Sequence, residues 1–152
     1  MATERAPFVI ALRLVSAALT AAMGAIHLYL WDDGGYRDLA TIGVLFLLNA
    51  IGSALLTLAL LVFPTRYVGV PAALGALFTA GTLAALVASL TIGLFGFLES
   101  LDAELVWPTI AVESAGVVAL TALTLLAYDL RHRGREARPQ APEGLRRGPS
   151  DD

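Results

Sequence analysis

Four stretches of this chain, residues 14–31, 39–65, 67–98 and 105–128, hold one formally charged side chain between them, Glu113. A helix that is stable in water needs a polar face, and none of these stretches has one. Crossing a hydrocarbon core of ~30 Å takes ~20 apolar residues at ~1.5 Å rise each. The pattern therefore excludes a soluble enzyme and a nucleic-acid-binding domain. Composition agrees: 15% of the 152 residues are charged, against roughly 25% in an ordinary globular protein. The expected fold class is an all-α membrane protein, a four-transmembrane-helix bundle with a disordered cytoplasmic C-terminal tail, and its first partner is the lipid bilayer.

The spans are expected at about 8–30, 39–63, 71–98 and 108–130. Pro71 and Pro108 then fall in the first turn of a helix, where the missing N–H would be unpaired anyway. The connections hold the turn residues Asp32-Asp33-Gly34-Gly35, Pro64-Thr65-Arg66 and Glu99-Ser100-Leu101-Asp102. The third span is long enough that it should tilt. Residues 131–152, rich in Pro, Gly and charge, have too little apolar surface to order themselves.

Orientation follows from the arginines. Arg5, Arg13, Arg66 and the six arginines of the tail lie on one side and only Arg37 on the other. The positive-inside rule places both termini in the cytoplasm and both acidic connections outside the plasma membrane. Arg13, near the cytoplasmic end of the first span, is expected to snorkel to the headgroups. Arg131, Arg133, Arg135 and Arg138 follow the last span directly and should favour anionic lipid headgroups, at ~1 kcal/mol each at most. Trp31, Tyr36 and Trp107 should form an outer aromatic belt, with Tyr67 and Tyr128 a sparser inner one. A competing reading makes the first segment a cleaved signal peptide. Its apolar run continues to Leu30 with no clean Ala-x-Ala site, so a retained span is expected.

Missing residue types exclude further classes. Without cysteine there is no disulfide, iron–sulfur cluster or thiolate zinc site. Without lysine there is no Schiff-base pigment. The two histidines, His27 and His132, belong to opposite ends of the bundle, so one chain cannot clamp a haem between them. No cofactor is expected. A metal site is not expected either, since His27 and Glu113 supply two ligands and a structural zinc wants four.

Within lipid, helices associate through small residues. The third span carries two rows at spacing four, Ala72-Ala76-Ala80-Ala84-Ala88 and Gly81-Ala85-Ser89-Gly93. The first has Ala17-Ala21-Ala25, and the second a polar stripe at Asn49-Ser53-Thr57 beside Gly52. These rows put span three near the bundle centre, and they would equally suit a homo-oligomer or a larger membrane complex.

Three polar groups reach the same layer from three helices. Glu113 lies six residues past Trp107, roughly 9 Å deep; His27 is four from Trp31, roughly 6 Å; Asn49 is eight from Thr41, roughly 12 Å. A carboxyl, an imidazole and an amide would meet there if their faces point inward. A charge in lipid costs at least ~2.5 kcal/mol, so Glu113 should face the bundle or be protonated, and intramembrane acids tend to mark function. The bland alternatives are a hydrogen bond from Glu113 to a neighbouring helix, a wet interfacial His27, and Asn49 as interhelical glue. The acids Asp32, Asp33, Asp38, Glu99, Asp102 and Glu104 make a negative rim that would concentrate cations at the mouth of any pocket, and the blander reading is a solvated rim that reinforces topology.

HLYLW at 27–31, GYR at 35–37, TIGVLFLLNA at 41–50, GLFGFLES at 93–100 and AVES at 111–114 resemble a group of small four-helix membrane proteins of actinobacteria. The resemblance implies the four-span fold and assigns no activity. The expectation for function is a non-enzymatic integral membrane binding or accessory protein, with Glu113, His27 and Asn49 as its polar site. The alternative is a small proton- or cation-coupled transporter or channel using Glu113, with His27 as gate or relay. An enzyme acting on lipid is weaker still, because no complete catalytic constellation is present.

Overall fold

The computed structural model describes residues 2–136, with side chains over 7–132. Four helices account for most of them: α1 (Ala2–Asp32), α2 (Ala40–Val62), α3 (Gly69–Thr91) and α4 (Val106–Glu136). Single turns of 3-10 helix, Tyr36–Asp38 and Thr65–Tyr67, lie in the first two connections. All four helices are long and apolar enough to cross a membrane. Much of their outward surface is apolar too, with Leu55, Leu77, Val118 and Leu125 each more than half exposed. That is the surface expected of a bundle whose solvent is lipid, and not of a water-soluble monomer.

The helices pack in the order α2, α1, α4, α3, and the two end helices α2 and α3 touch only lightly. The pairs α1–α2, α3–α4 and α1–α4 pack extensively, whereas α3 barely touches α1. Span three is therefore peripheral and not central, and α1 and α4 make the middle of the bundle. The small-residue rows explain the difference. Four residues advance a helix by about 40° more than one full turn, so a five-member row spirals off any one contact face. Ala72 is buried, but Ala80, Gly81 and Ala84 face outward. The face actually turned inward is Ala72, Gly75, Thr79 and Ser89. On α1 the close approach is at Gly24, where an added Cβ would lie 2.7 Å from the Cβ of Ser53 on α2.

The third span also stops short of Leu98. The chain leaves α3 at Thr91, where the Ile92 and Gly93 N–H groups both donate to the Ala88 carbonyl. It then makes a tight Leu94–Phe97 bridge. Glu99 N–H donates at 2.9 Å to the Ser89 carbonyl, which returns the segment to the end of α3. Gly93 and Gly96 adopt φ of +82° and +80°, and Phe95 and Leu105 are left-handed as well. Glycine takes that conformation freely and other residues do not. An apolar run that counts as membrane span by hydropathy is thus folded into a connection by its backbone.

At the far end α4 runs through residues 131–136, which the sequence assigns to a disordered tail. Residues 137–152, Arg138 among them, lie outside the described residues, as do the side chains of Arg133 and Arg135. This end is closed by an apolar cluster of Val9, Ala17, Leu60, Val68, Ala72, Leu120, Leu123 and Ala127. Arg13 does not turn outward to headgroups. Its guanidinium donates to the Leu60 carbonyl and, at 2.7 Å, to the Phe63 carbonyl. It thereby caps the last turn of α2, whose final carbonyls have no partner within the helix.

Candidate functional site

The three polar residues singled out by depth line one cavity. His27 comes from the last turns of α1, Asn49 from the middle of α2 and Glu113 from the second turn of α4. The cavity measures about 90 Å³. It lies at the end of the bundle that carries the connections 33–39 and 92–105.

Glu113 is the most deeply buried of the three, at 1% exposure. Neither carboxyl oxygen has a hydrogen-bond partner among the described residues. Its nearest polar neighbour is His27, with Nε2 3.9 Å from Glu113 Oε1. That is beyond hydrogen-bond reach but well within electrostatic coupling. The imidazole is oriented from its other side, where Nδ1 lies 2.9 Å from the Met23 carbonyl. A carbonyl only accepts, so Nδ1 carries the hydrogen and donates it. In the neutral ring Nε2 then keeps a lone pair, on the side that faces Glu113.

Asn49 makes no interhelical bond among the described residues. Its Oδ1 accepts from Ser53 Oγ, one turn along the same helix, at 3.1 Å, and Nδ2 has no partner. A serine hydroxyl can equally accept from an amide nitrogen, so Asn49 can offer the cavity either end of its amide. The interhelical-glue reading of this residue therefore has no bond behind it.

The walls are aromatic. The ring of Phe46 lies 5.0 Å from that of His27 and stacks on Tyr36 at 4.5 Å. Phe97 meets Tyr36 edge-on at 5.9 Å. Tyr36 is not part of an outward aromatic belt. It is half-buried, and its hydroxyl donates to Glu99 at 2.6 Å. Burial and then the Glu99 carboxylate push its phenol well above the usual tyrosine range. Tyr29 makes the corresponding bond to Glu104, at 2.9 Å.

Glu99 and Glu104 both line the cavity. Two of the six rim acids thus belong to the site, while Asp32 pairs with Arg37 at 3.4 Å on the surface. Sequence reasoning missed Tyr36, Phe46 and Phe97, and it offered Glu99 and Glu104 only as part of a rim at the mouth of a pocket. One signal was available: the Gly93 and Gly96 pair breaks the apolar run just before Phe97 and Glu99. Nothing in the sequence marks Phe46 apart from the other large residues of α2.

At the opposite end Arg131 is tied to protein and not simply presented to lipid. Its Nε donates at 2.6 Å to the Arg66 carbonyl. Its guanidinium sits 5.7 Å from the ring centres of both Tyr67 and Tyr128. Among the described residues no three His, Asp or Glu side chains converge as a metal cage.

Comparison with family models, curated proteins and solved structures gives no match.

Proposed function

We propose that this chain is a non-enzymatic, multi-pass binding protein of the plasma membrane. Both termini would be cytoplasmic, and its binding site is the cavity around Glu113, opening toward the outer face. One observation carries the reading: an acid at 1% exposure, with both oxygens unpartnered, lining a cavity. Buried polar groups are ordinarily hydrogen-bonded, and an exception calls for an explanation, which a bound ligand supplies for an acid beside a cavity. A structural role for Glu113 would require a bond to a neighbouring helix, and none is made among the described residues. Orientation rests on the arginine asymmetry of the connections.

A proton- or cation-coupled transporter is the second reading. It is favoured by the Glu113–His27 pair and by the buried hydroxyls of Thr20 and Ser16, which share the His27 face of α1. Against it stands the apolar cluster of Leu60, Val68, Leu120 and Leu123, which closes the far end with fully buried side chains. Proteoliposomes containing a pH-sensitive dye separate the two. The binding reading expects no proton flux above that of empty vesicles under an imposed gradient. A flux abolished by Glu113→Gln would replace it with the transport reading. Reporter fusions at residues 35 and 103 should appear opposite the C-terminal tail, and finding them on the same side would overturn the orientation.

A further inference from the structure

We infer that the cavity takes a small amphipathic organic cation, an ammonium group carried on a compact apolar or aromatic body. The inference rests on the binding reading above and names the ligand class of that site.

The interior is rich in acceptors. Glu113 presents two unpartnered oxygens. His27 has committed its Nδ1–H to the Met23 carbonyl, so Nε2 is left as an acceptor 3.9 Å from Glu113 Oε1. An N–H group between them would satisfy both where they cannot satisfy each other. An ammonium supplies two or three such hydrogens and a charge to match the carboxylate.

Donors, in contrast, are scarce. Tyr36 and Tyr29 already give their hydroxyl hydrogens to Glu99 and Glu104, and the lining hydroxyls of Thr82, Ser89 and Thr109 give theirs to backbone carbonyls within four residues. Among the described residues no arginine lines the cavity, while three carboxyl groups do: Glu99, Glu104 and Glu113. An anion would meet that charge with only the Asn49 amide to hold it. A quinone-like carbonyl could take the Asn49 amide hydrogen but would leave the Glu113 oxygens and His27 Nε2 without a donor.

The walls complete the match. The stacked Phe46 and Tyr36 rings, with Phe97 on edge, offer the electron-rich faces that attract cations within ~6 Å of a ring centre. The cavity volume of about 90 Å³ lies below the ~300 Å³ of drug-sized sites. It holds a head group and a few carbons, with the remainder of the ligand passing out between the connections.

Benzylammonium, benzyl alcohol and benzoate share one shape and differ in charge, so together they test the inference. Binding of each to the full chain in neutral maltoside micelles is read by saturation-transfer NMR, with empty micelles subtracted. Saturable benzylammonium binding is expected, at least tenfold tighter than that of the alcohol or benzoate. Glu113→Gln should weaken the amine at least tenfold and leave the alcohol unchanged. Phe46→Leu should weaken it severalfold. Equal binding of amine and alcohol by the wild-type protein overturns the ligand class and leaves the binding reading standing, and it needs no variant to fold. So does amine binding that survives Glu113→Gln intact. Failure of all three probes to bind overturns both. An ethanolamine lipid carries the same ammonium. Displacement of benzylammonium by added phosphatidylethanolamine but not phosphatidylglycerol supports the inference with lipid as the source. Displacement by neither supports it with a soluble amine as the source.

Discussion

The two ends of this bundle treat their ionisable side chains in opposite ways. At the arginine end, Arg13 and Arg131 spend guanidinium hydrogens on the carbonyls of Leu60, Phe63 and Arg66. Beneath them lies the apolar cluster of Leu60, Val68, Leu120 and Leu123, and the polar atoms left unbonded on that side, the Ser16 hydroxyl and one Arg131 nitrogen among them, include no buried carboxyl among the described residues. At the acidic end, Glu113 and the Asn49 amide nitrogen are left without partners beside a cavity. A polar group that closes a helix end is there for the fold. A polar group that is desolvated and then left unbonded costs stability, and proteins keep such groups mainly at functional sites. The contrast separates structural residues from binding residues in a chain where both kinds are rare.

Substitution of Arg13 at one end and of Glu113 at the other should therefore differ in sign as well as size. Arg13→Met removes two charge-assisted bonds to α2 carbonyls and should lower stability by about 2 kcal/mol. Reversible unfolding in mixed micelles would measure it, and an unchanged midpoint would remove the arginine end from the contrast. Gly93→Ala forces a left-handed residue into the segment over the cavity and should cost about 1–2 kcal/mol. Its effect should be confined to that segment, seen as faster amide exchange at Glu99, whose N–H bonds to Ser89. Uniform exchange across α3 would mean that the segment is not a separate unit.

Tyr36→Phe should cost about 1 kcal/mol at neutral pH, through the lost bond to Glu99. The phenol of Tyr36 titrates above its ordinary value in the folded protein. The stability it contributes is complete below the unfolded-state pKa of about 10 and falls as the pH rises beyond that, where the unfolded chain has already lost the proton. The wild-type protein should therefore weaken from about pH 10 upward, and Tyr36→Phe should weaken less. Parallel curves for the two proteins would detach Tyr36 from the site.

How much of this is written in the sequence differs between helices and connections. The helices announce themselves through long neutral runs, because lipid leaves a backbone few alternatives. Depth counting from Trp31, Thr41 and Trp107 is enough to bring His27, Asn49 and Glu113 to one layer, since helical rise is fixed. The end of α3 escapes such counting. Hydropathy registers Leu94, Phe95, Phe97 and Leu98 as membrane residues, while the path is set by the positive φ of Gly93 and Gly96. The roles of Tyr36, Glu99 and Glu104 escape it too, because they depend on how two aperiodic connections fold against each other. The peripheral place of α3 was hidden by its alanine rows, which look like a contact face until their drift around the helix is taken into account.

The most direct test of the account is the stability of Glu113→Leu in the full chain, read as the unfolding midpoint in the same micelles. If Glu113 is kept for a ligand, exchanging an unbonded buried acid for an apolar side chain of similar size should leave the midpoint unchanged or raise it, by up to about 3 kcal/mol. A loss of stability would contradict the account and make Glu113 part of what holds the helices together.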